Sequence, residues 1–204
     1  MACRLMARGA FIVFEGGDRC GKTTQCERLV DGLRKLGAPC VSVRFPDRTA
    51  STGTAIDAYM RGIDELSPRD VHALFVRERR DRRAEIEAAL ESGATVVADR
   101  YACSGVAYAD ARGGMDWEAL LREEAGLPVP DVVICMRLDP GAAAARDGYG
   151  CERHDSVGFQ RRVSLAFDRL ASEPSMWRRW IDVDASRDVD AVARDVEAAV
   201  FSKT

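Results

Sequence analysis

Residues 16 to 23 read Gly-Gly-Asp-Arg-Cys-Gly-Lys-Thr and follow the apolar run Ala10-Phe11-Ile12-Val13-Phe14 directly. The spacing is G-x-x-x-x-G-K-[ST], a loop that cradles phosphate where a strand turns into a helix. Gly16 and Gly21 let the backbone fold so that successive N–H groups point at phosphate oxygens. Lys22 reaches the outer phosphates, Thr23 offers a hydroxyl to Mg²⁺, and the next helix presents its positive N-terminus to the anion. A Gly-rich connector would satisfy the turn alone, but it has no use for Lys-Thr in this register. Binding of a nucleoside triphosphate is thus expected from Gly16, Gly17, Asp18, Arg19, Cys20, Gly21, Lys22, Thr23 and Thr24.

Other apolar runs also end in polar signatures. Phe45-Pro46-Asp47-Arg48 follows one, Asp99-Arg100-Tyr101 with Ser104-Gly105 follows another, and a third runs into Asp184-Ala185-Ser186. Arg48 and Arg100 are two planar forks suited to bidentate phosphate binding, which suggests a second phosphate site distinct from the triphosphate. Asp99 stands where a strand-end carboxylate holds Mg²⁺ directly or through water.

These residues need a scaffold that gathers strand ends. Five β-like runs stand out, Ala10–Glu15, Cys40–Phe45, Ala94–Asp99, Asp131–Leu138 and Arg179–Asp184, several of them nearly continuous in apolar residues, as strands covered on both faces are. Between and after them lie helical patterns at Thr24–Leu36, Gly53–Arg61, Pro68–Ser92, Cys103–Ala111, Met115–Ala125, Val157–Ala171 and Val189–Phe201. Alternation of this kind predicts a three-layer α/β fold with a five-stranded parallel sheet and ligands at the carboxyl ends of the strands. Residues 1–204 read as one domain. The segment Arg146–Ser156 is rich in glycine and charge and lacks an apolar face, so it reads as a lid.

Composition narrows the function. Net charge is −3, from 30 basic and 33 acidic residues, which gives no reason to expect a nucleic-acid polymer as partner. No apolar run approaches the length of a membrane span, and Met1–Gly9 is too short and polar for a signal peptide. The seven cysteines are scattered without a C-x-x-C pair, which suits reduced thiols in a cytoplasm. Cys20 reads as a small filler within the loop.

The strings RGAFIVFEGGDRCGKTTQ, FPDR, DRYACSGVAY and GLPVPD, in this order, resemble thymidylate kinases over nearly the whole chain, from Arg8 to about Val192. Asp18-Arg19 is similar to the eukaryotic and large-DNA-virus branch, and KTTQC looks most like the poxviral enzymes, which would place the protein in a host cytoplasm. The resemblance implies a P-loop nucleoside monophosphate kinase fold, a homodimer, and transfer of phosphate from MgATP to dTMP. It implies that Lys22, Asp18, Arg19, Arg100, Arg146 and Arg153 serve catalysis, the last two arriving on the lid. It implies a dTMP site of Asp18 on the 3′-hydroxyl, Phe45, Arg48 and Arg100 on the phosphate, Phe75 stacked on the base and Arg79 bonded to it. Ser104, Gly105, Tyr108 beside the 2′ carbon and Gln160 near the base complete that site. Thr23 and Asp99 would hold the metal.

Several readings compete. Phe75 and Arg79 share one helix face, yet a run such as Arg77–Arg83 is also an ordinary solvated surface. Glu78, three residues after Phe75, would reach the base edge and accept from the paired donors of guanine, or else would pair with Arg82. His154 on the lid is expected to take part in closure over the phosphates, His72 in packing, and Glu152 either as an orienter of an arginine or as a surface charge. A P-loop kinase with another acceptor (dGMP, dUMP or a deoxynucleoside) and a nucleotide-gated switch stand as alternatives. The second arginine pair counts against the switch.

Overall fold

The computed structural model describes residues 8–50, 52–146, 150 and 152–201. Residues 1–7, and with them Cys3, lie outside the described residues, as do 147–149 and Cys151 of the expected lid.

Five strands, β1 (Phe11–Gly16), β2 (Cys40–Arg44), β3 (Thr95–Asp99), β4 (Val132–Arg137) and β5 (Trp180–Asp184), form one parallel sheet in the order β2-β3-β1-β4-β5. Successive residues point to opposite faces, so each face has its own core. Ile12, Phe14, Val97, Ile134 and Met136 pack with α1 (Lys22–Lys35) and α9 (Val189–Phe201). On the other face, Phe11, Val13, Val96, Ala98 and Val133 pack with α4 (Arg83–Glu91). Cys135 on that face meets α5 (Ala102–Arg112), α6 (Trp117–Glu124) and α8 (Val157–Leu170). With apolar residues facing both layers, β1 is buried throughout, which is why its sequence is apolar rather than alternating.

Local chemistry sets the helix starts. Ser67 accepts from the N–H of Asp70 with Pro68 in the first turn of α3 (Pro68–Asp81), and Ser156 accepts from Phe159 at α8. Asp139 caps the short α7 (Pro140–Ala144), which leads to the lid. The expected helix Pro68–Ser92 is interrupted at Arg82. The break has a packing reason: α3 lies against α5 and α2 (Gly53–Met60), whereas α4 lies against β3.

β1 is central, with β3 on one side and β4 on the other, so the topology opens a crevice beyond its carboxyl end. The phosphate loop emerges at that point. The five described cysteines, Cys20, Cys26, Cys40, Cys103 and Cys135, are all free thiols. Among the described residues no helix is long and apolar enough to cross a membrane.

Candidate active site

A cavity of about 1080 Å³ opens over the carboxyl ends of β1, β2 and β3. Its floor is the loop between β1 and α1. Gly16 has φ 129°, and a Cβ there would stand 2.4 Å from the carbonyl oxygen of Met136. The glycine is therefore required twice, by the turn and by the neighbouring strand. Arg19 adopts φ 61°, a costly value for a non-glycine residue and a sign that the loop is held in shape. The Lys22 ammonium is folded back onto the loop, donating to the Gly17 carbonyl at 2.5 Å and touching Cys20 Sγ at 3.3 Å. Cys20 Sγ in turn reaches Gly17 O at 3.1 Å.

Beside the loop, Thr23 Oγ1 donates to Asp99 Oδ2 at 2.6 Å. Arg44, which the sequence did not single out, brings Nε and Nη2 to the same oxygen at 3.1 and 3.0 Å. Burial would raise the Asp99 carboxyl, but the Thr23 bond and the charges of Lys22, Arg100 and Arg44 hold it below the usual carboxylate range. A hydroxyl and an ionised carboxylate side by side are the hard oxygen donors that Mg²⁺ takes, with phosphate and water supplying the rest. No cluster of three or more His, Cys, Asp or Glu fit for a metal occurs among the described residues.

The opposite wall is α5. Arg100, at φ 68°, donates from Nη1 to Gly16 O at 2.9 Å and Ser104 Oγ at 3.1 Å, and from Nη2 to Asp18 Oδ1 at 2.5 Å. Asp18 also accepts from the Tyr108 hydroxyl at 2.8 Å and from Gln160 Nε2 at 2.6 Å. Burial opposes ionisation of Asp18, and Arg100 and Lys22 overcome it, so its pKa lies below normal. Beneath them Glu15, fully buried, accepts from the N–H groups of Tyr101 and Ser104 at 3.0 Å each and from the Ser104 hydroxyl. The first turn of α5 has no capping side chain of its own, and this carboxylate from β1 takes the part. Burial raises the pKa of Glu15 despite those bonds.

Behind the cavity, Arg79 donates from Nε to Glu124 Oε2 at 2.9 Å and from Nη2 to Glu124 Oε1, both residues being buried. Gly105 makes room for this pair, since a Cβ there would lie 2.2 Å from Arg79 Nη2 and 2.3 Å from Glu124 Oε1. Phe75, Phe45 and Arg79 line the cavity. Arg48 lines it too, bound by Asp57 at 2.9 Å and by Glu152 of the lid segment. Of the two readings of Glu152, the structure shows the orienter of an arginine.

Four expectations need correction. Arg153 does not line the cavity: its guanidinium stacks on Tyr59 and spends its N–H groups on Tyr59 O, Asp64 O and the Glu65 carboxylate. Arg146, by contrast, lies at the cavity and donates to Arg19 O at 2.7 Å and Ala185 O at 3.0 Å. Gln160 sits under the loop rather than in the cavity, with Oε1 accepting from the Asp18 N–H at 3.0 Å. It shares with Gly16, Gly17 and Cys20 a space of about 20 Å³, room for about one water. Glu78 neither lines the cavity nor bonds Arg82; its carboxylate accepts from the Asp47 N–H, while Arg82 binds Asp47 and Glu85. His154 is buried, stacked on Phe159 with centroids 4.6 Å apart, and burial drops its pKa to about 3, so it is neutral and carries no charge to a phosphate.

One cavity thus holds a triphosphate loop, a carboxylate–hydroxyl pair and a second set of arginines. Together with the sheet order this defines a P-loop kinase of the nucleoside monophosphate class. The thymidylate kinase family profile matches residues 14–196. The thymidylate kinase of Danio rerio is 40% identical over 97% of this chain and 91% of its own length, and that of Arabidopsis thaliana is 38% identical over 96% and 72%. The solved structure of thymidylate kinase from Candida albicans superposes with a TM-score of 0.84 at 28% identity, covering 95% of this chain and 91% of that one. The chain belongs to the thymidylate kinase family.

Proposed function

We propose that the protein transfers the γ-phosphate of ATP to dTMP, giving ADP and dTDP. The carrying observation is that one cavity has a phosphate loop on one side and Arg48 and Arg100 on the other. In this reading a dTMP phosphate oxygen forms a bond to the γ-phosphorus while the bridging bond to the β-phosphate breaks. Charge spreads over the transferring oxygens, and catalysis is chiefly positioning and neutralisation.

Loop amides and Lys22 hold the donor phosphates. Arg48 and Arg100 hold the acceptor phosphate, and Arg19 and Arg146 neutralise charge between the two nucleotides. Phe75 stacks on the base with Arg79 at its edge. Tyr108 fills the space beside the sugar, and Asp18 takes its 3′-hydroxyl. Thr23 and Asp99 would hold Mg²⁺, which when bound neutralises phosphate charge. Arg44 then serves to keep Asp99 ionised and aimed. The same reading includes a homodimer, tested by sedimentation, and a cytoplasmic setting, which the free thiols support.

The experiment is ADP release coupled to each nucleoside monophosphate in turn. Turnover with dTMP well above the ATP-only rate is expected. Equal release with no acceptor would leave a nucleotide switch, and turnover confined to another monophosphate would reassign the acceptor.

A further inference from the structure

α5 presents Ser104, Gly105 and Tyr108 to the cavity, and the same face continues to Arg112, four residues beyond Tyr108. Arg112 lines the cavity too, but its situation differs from that of the other arginines there. Its Nε is buried without a hydrogen-bond partner. The contact of Nη1 with His154 Nε2 is long, at 3.5 Å. The groups that face it are Tyr59 on α2, His72 and Arg79 on α3, Tyr108 on its own helix and His154 in the lid segment, and none of these is a carboxylate. Burial and the neighbouring Arg79 bring its pKa down to about 10, so it still carries its proton at neutral pH. Arg48, Arg79 and Arg100 each hold an acid; Arg112 has none among the described residues.

A buried guanidinium with an unspent donor is a standing cost that an acceptor on a ligand removes. Position says which acceptor. Arg100 and the first turn of α5 hold the phosphate end, and Arg112 lies two turns further along the helix, about 12 Å by rise. It neighbours Tyr108, the residue at the sugar, and Arg79, the residue at the base. The part of a pyrimidine nucleotide nearest to both is the base carbonyl next to the glycosidic bond, the 2-carbonyl. We propose that Arg112 is a specificity-determining residue that donates to the 2-carbonyl oxygen of the acceptor pyrimidine. The inference rests on the dTMP reading above.

The test compares dTMP with its 2-thio and 4-thio analogues in the wild type, Arg112→Met and Arg112→Lys, with ATP saturating. Sulfur keeps the shape and weakens the acceptor. In the wild type, 2-thio substitution should cost about tenfold in kcat/KM. In Arg112→Met, KM for dTMP should rise about tenfold with kcat and KM for ATP nearly unchanged, and the 2-thio penalty should vanish. Arg112→Lys should recover part of the KM. The 4-thio penalty should be the same in all three proteins. A 2-thio penalty that survives in Arg112→Met overturns the proposal, and so does a wild type indifferent to 2-thio, a comparison that stands even if Arg112→Met fails to fold. A wild type inert toward dTMP sinks the underlying acceptor assignment first, a result distinct from either.

Discussion

The two sides of the cavity are built by different rules. The side assigned to the donor in the proposed reading is a continuous stretch, residues 16–24, whose contribution lies in backbone angles and in N–H groups. The side assigned to the acceptor in the proposed reading collects Arg48, Phe75, Arg79, Arg100 and Tyr108 from four separate segments and fixes its arginines and Tyr108 by acidic partners. Arg79 is held by Glu124, Arg100 by Asp18, Arg48 by Asp57 and Glu152, and α5 itself by Glu15. A loop can be specified by a local pattern. A wall of charged side chains requires preorganisation, because buried guanidinium groups need acids placed before the substrate arrives.

The comparison can be broken most decisively at Arg19, which belongs to the donor loop but is assigned to the space between the nucleotides. Arg19→Asn keeps a residue that tolerates positive φ and removes the charge. We expect kcat to fall by about 10³-fold with little change in KM for either nucleotide, in steady-state assays. Turnover close to wild type would pass the role to Arg146.

Arg100 tests the acceptor side by itself. Arg100→Asn should lower kcat/KM for dTMP by roughly a hundredfold, since it strips the phosphate partner and unpairs Asp18. The KM for ATP should stay put. A matching loss of ATP affinity would mean that the two sides are not separate.

Gly105→Ala sharpens the claim that the wall is pre-built. The new Cβ collides with both members of the Arg79–Glu124 pair. Stability in urea should drop by about 1–3 kcal/mol, as overpacking does, with a raised KM for dTMP. Wild-type stability would show that the pair gives way without cost.

Tyr108→Ala should reduce the preference for dTMP over its ribonucleotide by about tenfold, the order expected when a steric block is removed. An unchanged ratio places sugar reading elsewhere.

The smallest effect concerns pH. His154 and His72 are neutral in the fold, with burial lowering their pKa values to about 3 and about 4. Unfolded, each titrates near 6.5, so the unfolded chain binds more protons from about 6.5 down to about 4 for His72 and about 3 for His154. Their contribution to stability is full above that range and is lost as pH falls through it. Thermal melts of the wild type and His154→Gln across this window should converge at the acid end. A constant difference would mean that the imidazole takes no part.

Apolar continuity marked the three inner strands β1, β3 and β4, which are covered on both faces and need no alternation, whereas the edge strands β2 and β5 keep exposed polar positions. The same local logic misjudged Pro68–Ser92. Nothing in its periodicity marks Arg82, where the chain leaves one packing layer for another. The site divides in the same way. Glu78 and Arg153 have plausible spacing for substrate contact, yet their partners, the Asp47 amide and Glu65, come from distant loops. Arg44 and Glu15 carry no motif of their own that distinguishes them from a strand-edge charge and an ordinary strand residue.

By itself, then, the sequence determined the phosphate loop, the strand–helix alternation and the family, because each is written in neighbouring residues or fixed spacings. Only the tertiary structure decided which arginines are spent on acids, which point away from the cavity, and that Arg112 keeps a buried donor unpaired. Those outcomes depend on desolvation and on partners dozens of residues away, and a one-dimensional pattern holds neither.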